Sequence, residues 1–410
     1  MASAEVSIRS LYRFAHSIGL ISSIDGLSEP RKRPQISLLT MGLSVMLGMC
    51  LDPHSSRQLD LLLRFPLFKK LLNQQNEHTV DKRSKRKKKK ERAGVVSDST
   101  WARVFPKMSV EQLRRRLDFF RRALERRRLL RTQVGHRSLR VGAIDGTCQG
   151  KKLVSFVAQA GQAPAVGWMK PIPKKGKELP VSLSLIESLP PGVFDLLLAD
   201  SLYACHAFFE ACAKAKIAGV VKTDEDLWLI RDAVARMKTC PRGGPDVEYV
   251  EATDSQRALR TRAWCVQGLA WESPFESRKS SLRFSVTRVE EVPLKNNAEP
   301  TLFYVIGQDA AFGAQSYRDL GHHRWFIENN VHKALNQNTH SKRLWSHDDK
   351  AAQIMTILQT MAWMLLEAFQ AFLEESRDSM RRLWDHGRLS LITLAHLLRT
   401  TLGNPTLDSS

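Results

Sequence analysis

Apolar residues recur at three- and four-residue spacing through SIRSLYRFAHSIGLI and RQLDLLLRFPLFKKLL, which predicts helices from residue 1 to about 75. Pro30, Pro34, Pro53 and Pro66 punctuate them. The helical spacing returns in SVEQLRRRLDFFRRALERRRLL. Ser109 with Gln112 has the form of a capping box, and Ser97 or Thr100 can cap a shorter helix before it. Leu113, Leu117, Phe120 and Leu124 make an apolar stripe on the longer helix. Arg114, Arg115, Arg121 and Arg128 fall largely off that stripe. A solvated face and a polyanion-contacting face fit this pattern equally.

From about residue 138 the period changes. LRVGAIDGTCQ, KKLVSFVAQA, VGWMKPI and LPVSLSLIE read as a meander of extended segments. DLLLADSLY is a buried-type strand, preceded by Pro190, Pro191 and Gly192. A helix, YACHAFFEACAKAKI, and a short strand, AGVVKT, follow. A strand, helix and strand after a meander predict a mixed α/β sheet. Between 224 and 307, VEYVEATD, TRAWCVQGLAW, LRFSVTRVEE and TLFYVIGQD are β-like and separated by polar turns, so this stretch is expected to be a mostly β insertion. From SYRDLGHHRWFIENNVHKALNQ the chain is again helical. No internal repeat is visible.

Two apolar runs test the membrane reading. ISLLTMGLSVMLGMCL is too short to span a bilayer comfortably. AAQIMTILQTMAWMLLEAFQAFL is longer but carries Gln353, Gln359 and Glu367. Both read as buried or amphipathic helices. The N-terminus lacks the charged-then-apolar layout of a signal peptide. The six cysteines are scattered, with no CxxC pair, which argues against a zinc site and a disulfide scaffold and fits a reducing cytoplasm.

Charge changes the picture most. The 410 residues carry 63 Lys and Arg against 42 Asp and Glu, a formal net charge of +21. Such an excess points to a polyanionic partner, of which nucleic acid is the commonest. It is also clustered. Nine of the eleven residues from Lys82 to Arg92 are Lys or Arg, including Lys87, Lys88, Lys89 and Lys90. That block cannot enter a core; it reads as a solvated tether or, preferred for its density of cations, a phosphate-tracking arm.

Asp145 and Asp200 are each expected at the end of an apolar strand. Alone, an aspartate there is usually a turn former. If the two strands are neighbours, however, the residues lie about 5 Å apart. Two carboxylates that close repel, and a divalent cation relieves the repulsion. Glu328 in RWFIEN is the best third carboxylate. Arg324 lies four residues before it and His332 four after, on one helix face. In isolation Arg324 and Glu328 read as a surface ion pair.

VGAIDGT, then LLLADSLYACHAFF and AGVVKT, then LFYVIGQD and RWFIENNVHKAL, resemble bacterial insertion-sequence DDE transposases in content and order. The resemblance covers roughly residues 95 to 370, and its most specific motif is the Arg-Trp-x-x-Glu-Asn helix. It implies an α/β fold: an RNase H-like mixed-sheet catalytic core with a β-rich insertion, flanked by helical N- and C-terminal regions. The expected divisions are an N-terminal region binding DNA ends (1–80), a basic linker (81–95), a helical DNA-contact segment (96–135) that includes Arg114 and Arg115, the first core part (136–223), the insertion (224–307), the second core part (308–375) and a C-terminal helical region (376–410).

The resemblance makes Asp145, Asp200 and Glu328 the catalytic ligands of two Mg²⁺ or Mn²⁺ ions. It assigns Arg324 to a DNA phosphate near the cut. His332 and Lys333 are expected on the DNA too. Trp325 either stacks on a base or packs. The family often has a Tyr three residues before that Arg and a Lys seven after the Glu. Gly321 and Leu335 stand there instead; Tyr317 and Lys333 are close but out of phase on the helix, and His322, His323 or Lys333 are the candidates to substitute. The departure bears on handling of the DNA ends, such as a hairpin step. The implied activity is cleavage and strand transfer at terminal inverted repeats and target DNA, by a homodimer, in the cytoplasm and without a membrane. A nuclease or resolvase on the same fold, and an inactive DNA-binding relic, are the competing readings.

Overall fold

The N-terminal apolar spacing produces four helices, α1 (Ile8–Ser17), α2 (Leu20–Asp25), α3 (Leu38–Met49) and α4 (Ser56–Leu63). The computed structural model describes residues 7–32, 34, 36–53, 55–64, 98–149, 152–255, 258–271, 281–294, 299–308, 312–324, 331, 346–375, 394 and 398. Ser7, Ser37 and Ser55 each accept a hydrogen bond from the backbone N–H three residues on, satisfying a donor that a helix start leaves open. Helix α3 is apolar on every side, and all twelve of its residues are buried. A helix with no polar stripe has to lie in a core.

Two helices follow, α5 (Asp98–Val104) and α6 (Val110–Arg126). Ser109 caps α6 by accepting from the Gln112 N–H, and Leu113, Leu117, Phe120 and Leu124 are buried, as the stripe predicts. Two arginines differ from expectation. Arg121 is buried: its Nε donates to Asp118, its Nη1 donates to Gln159, and its guanidinium lies 4.6 Å from the centre of the Trp168 ring. Arg128 lies beyond the helix end with a φ of +61°.

A short hairpin, β1 (Thr132–Val134) and β2 (Arg137–Leu139), leads into the main sheet. Its elements are β3 (Val141–Gln149), β4 (Lys152–Gln159), β5 (Ala165–Ile172), α7 (Glu178–Glu187), β6 (Leu196–Ala199), α8 (His206–Lys214), β7 (Ala218–Thr223) and α9 (Trp228–Thr239). Then come β8 (Val247–Asp254), β9 (Leu259–Ala270), β10 (Arg283–Pro293), β11 (Thr301–Gly307), α10 (Ala314–His323) and α11 (Asp349–Glu375). The sheet has nine strands in the order β5-β4-β3-β6-β7-β11-β10-β9-β8. β3, β4 and β5 form an antiparallel meander, while β6 runs parallel to β3 and β7 parallel to β6. β11 joins β7 antiparallel, so the β-rich stretch extends the central sheet.

The segment LPVSLSLIE is a helix, α7, where the alternation of Val181, Leu183 and Leu185 with serines predicted a strand. Ser182, Leu185 and Ile186 are its buried residues, which is helical spacing. Pro180 falls in the first turn, where a helix tolerates a missing N–H. Packing against the sheet outweighs the local period.

Alternation along the strands feeds two cores. Ala143, Leu196 and Leu198 face one with α3, α6 and α11; Ile144, Leu197 and Ala199 face the other with α7, α8 and α9. Asp349–Leu373 is long and apolar enough to cross a membrane by composition, but 89% of its most apolar window is buried inside the protein. Helix α11 is thus the spine of the first core, in contact with α1, α3, α6 and β5.

One clamp sets the register of β3 against β6. Asp195 Oδ2 accepts from the Arg140 backbone N–H at 2.8 Å, and its Oδ1 accepts from Arg140 Nη2 at 2.5 Å. Burial works to raise the Asp195 carboxyl, but the hydrogen bonds and charge of Arg140 outweigh it and hold it below the ordinary aspartate range. A carboxyl depressed by folding contributes stability above its unfolded value, about 3.9, and loses it as pH falls through the lower folded value. Asp195→Ala is therefore expected to cost about 2 kcal/mol in urea denaturation at neutral pH. The gap to the wild type should close on acidification below about pH 4; a gap that stays constant would mean that the clamp is not electrostatic.

Candidate active site

The parallel register pairs Val141 with Leu196, Gly142 with Leu197 and Ala143 with Leu198. Continued by two residues, it sets Asp145 beside Asp200, on strands about 5 Å apart. β6 ends at Ala199, so Asp200 is the first residue beyond it. Asp145, expected at a strand end, is instead inside β3. The strand continues to Gln149 because β4 pairs with it along its whole length. Asp145 therefore sits where its parallel partner stops, in mid-strand on one side and at an open strand end on the other.

Asp200 performs two tasks at once. Its Oδ1 accepts from the Leu202 N–H at 3.0 Å, which is the turn-capping role of an aspartate at a strand end. Its Oδ2 accepts from Arg324 Nη2 at 2.9 Å. Burial and the neighbouring Asp145 charge raise the proton affinity of Asp200, and Arg324 and the Leu202 N–H offset this only in part. Arg324, the C-cap of α10, brings the chain back from the β-rich extension onto the β6 end. Among the described residues it hydrogen-bonds Asp200, 124 residues away in sequence.

A further carboxylate, beyond Asp145, Asp200 and Glu328, was not singled out in the sequence. Glu178 lies in the first turn of α7, and a Cβ placed on Gly146 would meet its carboxyl carbon at 2.4 Å. With a glycine next to Asp145, that carboxyl lies over β3 without having to turn aside. Tyr203, a buried residue, donates its hydroxyl to Glu178 Oε1 at 3.2 Å. Partial burial, then the charge of Asp145, then that of Asp200, raise the Glu178 proton affinity, with the Tyr203 hydrogen bond opposing. Assigning LPVSLSLIE to a strand concealed this residue. An acid opening a helix is a recognisable signal once the segment is read as a helix.

The far flank is basic. Lys222 on β7 lies 3.9 Å over the Phe303 ring, and burial lowers its proton affinity, with Glu291 opposing. The positions around the missing family Tyr are packed as follows. A Cβ on Gly321 would stand 2.9 Å from Phe303 and Val305, so no side chain fits at that position. Tyr317 is fully buried, with its ring against Phe312. His322 lies 2.8 Å from Glu291, and burial pushes the His323 imidazole down.

Glu328, Trp325, His332, Lys333 and the basic run with Lys87, Lys88, Lys89 and Lys90 lie outside the described residues. Among the described residues, no three His, Cys, Asp or Glu side chains form a group that could hold one ion. Charge repulsion nevertheless links the carboxylates: Asp145 acts on both Asp200 and Glu178, and Asp200 on Glu178.

A carboxyl whose proton affinity is raised by folding contributes stability below its unfolded value and loses it as pH rises through the folded one. Glu178 is such a group, so its charge opposes folding at neutral pH. Glu178→Gln is expected to raise the melting temperature of the metal-free protein at pH 7 by about 1–2 °C. The gain should vanish near pH 4, where the wild-type carboxyl is itself protonated. A lower melting temperature at pH 7 would show the hydrogen bond to Tyr203 outweighing the repulsion. In comparisons with known proteins, the chain matches no family model and no curated sequence.

Proposed function

We propose that this chain is a DDE transposase whose catalytic core has an RNase H-like fold. The observation that carries the reading is the placing of Asp145 beside Asp200, which Arg324 holds, from three distant segments, where β6 ends alongside its parallel neighbour β3. The strand order supports it: an antiparallel meander β5-β4-β3 continued by parallel β6 and β7 is the topology such a core requires. The net charge of +21 supports a nucleic-acid substrate.

In this reading Asp145, Asp200 and Glu328 hold two Mg²⁺ or Mn²⁺ ions. When bound, such ions neutralise the scissile phosphate and make a water, then a 3′-hydroxyl, a competent nucleophile for in-line attack. The protein supplies positioning and charge. Asp200 is fixed by the Leu202 N–H, so its free lone pairs keep one orientation. Arg324 is a cation at the same carboxylate that can turn to a DNA phosphate when Asp200 takes a metal. Glu178, held by Tyr203, stands beside the two aspartates as a further proton or cation acceptor. The substrate is duplex DNA carrying the inverted repeats of a mobile element, and two protein copies bring two ends together.

The test uses duplexes from the DNA flanking the reading frame. Purified protein should nick them in the presence of Mg²⁺ and join the released 3′ ends to a second duplex. Asp145→Asn, Asp200→Asn and Glu328→Gln should each reduce nicking by more than the ~10–100-fold that loss of an outer-shell partner costs. Retained nicking in the Asp145→Asn and Asp200→Asn variants would refute the reading. Nicking without joining would make the chain a nuclease.

A further inference from the structure

Beyond the carboxylates, the most distinctive surface lies at the edge of the sheet. β5 is the outermost strand, and an open groove of about 820 Å³ runs between it and α6. Arg114, Arg115, Arg116, Arg122 and Lys170 line it, against the acids Glu111 and Asp118. Three of the five cations are hydrogen-bonded to neutral acceptors. Arg114 Nη2 donates to the Gln353 side chain at 3.3 Å, Arg116 Nη2 to the Gly26 carbonyl at 2.7 Å, and Lys170 Nζ to the Ser184 hydroxyl at 2.7 Å. A neutral acceptor orients a cation without cancelling its charge. Arg115 and Arg122 do meet carboxylates, Glu111 at 3.4 Å and Asp118 at 2.7 Å, but both arginines are solvent-exposed. Such surface pairs are weak and open to exchange for a phosphate. Asp118 is moreover shared with the buried Arg121 beneath it.

The floor of the groove is rigid. Arg121 is held by Asp118 and Gln159 and stacked on Trp168, which contacts Phe194 edge-on at 5.4 Å. Phe119, exposed beside the arginines, adds an aromatic surface. The groove is also aligned with the carboxylates. Met169 in its lining pairs with Phe156, and Phe156 pairs with Asp145. Residues paired across strands share a row, so Met169 and Asp145 are two strand spacings, about 10 Å, apart. A duplex carries a charge about every 1.7 Å of its length, so several phosphates span that distance.

We propose that the groove between α6 and β5 carries the phosphate backbone of the duplex DNA that flanks the bond at the carboxylates. The proposal rests on the chain being a DNA enzyme, and adds where the flanking duplex lies. Lys170 and the α6 arginines hold the backbone by charge, independent of base sequence, while Phe119 and Trp168 face the sugars.

The experiment measures binding of the full-length chain to a fluorescent duplex of random sequence, by anisotropy across a salt series. Arg115→Gln combined with Lys170→Gln removes one exposed and one half-buried cation of the groove, with an unchanged melting temperature as the folding control. The slope of log affinity against log salt should become shallower by about 1.8, which is ~0.9 for each lost phosphate contact. Glu111→Gln should tighten binding, a gain that misfolding cannot produce. If the wild type binds no duplex, this proposal and the transposase reading fall together. If it binds and both variants follow the wild-type line, the groove proposal alone is overturned. Equal binding of fluorescent polyglutamate, with the same loss in the double variant, would make the groove a site for acidic proteins and overturn it as well.

Discussion

Arg140 and Asp195 join the start of β3 to the start of β6 through one backbone and two side-chain hydrogen bonds. They lie five residues before Asp145 and five before Asp200, respectively. In a parallel pair, equal offsets preserve alignment, so a clamp at one end of the strands sets which residues meet at the other. A one-residue slip would turn every side chain of β6 to the opposite face and separate the two aspartates. The candidate site depends on this register. So does the division of the core, because Leu197 faces one layer and Leu196 and Leu198 the other.

The helices hold this sheet from both sides at unequal depth. On one side α3 and α11 are apolar around most of their circumference and bury almost entirely, which makes the N-terminal helices part of the same core as the sheet. The helix with the most membrane-like composition is thus used as a structural spine. On the same side, α6 is amphipathic and turns its arginines outward at the edge of β5. One arginine, Arg121, turns inward. Burying a guanidinium is costly unless its donors are met, and Asp118, Gln159 and the Trp168 ring meet them.

Against this well-packed frame the carboxylate cluster is an electrostatic conflict. The charges of Asp145 and Asp200 act on Glu178 and that of Asp145 on Asp200, and Arg324 answers only part of this repulsion. A fold selected for stability alone has no reason to gather like charges at a strand end. Functional sites commonly hold such conflicts, which are relieved by a ligand. Glu178 lies over Gly146, immediately after Asp145, so this part of β3 holds one acid and lies beneath another.

Much was legible in the chain itself. The stripe on α6, its Ser109 cap, the strand AGVVKT and the β-rich stretch are all local patterns, and each appears in the structure. Asp145, Asp200 and Arg324 were singled out by residue type and motif. The failures were local patterns that packing overrode. LPVSLSLIE alternates like a strand but folds as α7, since Leu185 and Ile186 gain more by packing on the sheet as a helix. Arg121 looks like a surface arginine until Gln159 and Trp168 are brought to it. Periodicity and charge along the chain therefore determined most of the elements that form and marked Asp145, Asp200 and Arg324 as candidates. Only the tertiary structure decided that Asp145 lies inside its strand, that Glu178 joins it, and that Arg324 lies on Asp200. Those are contacts between segments far apart in sequence, set by strand register and sheet order, which no local pattern encodes.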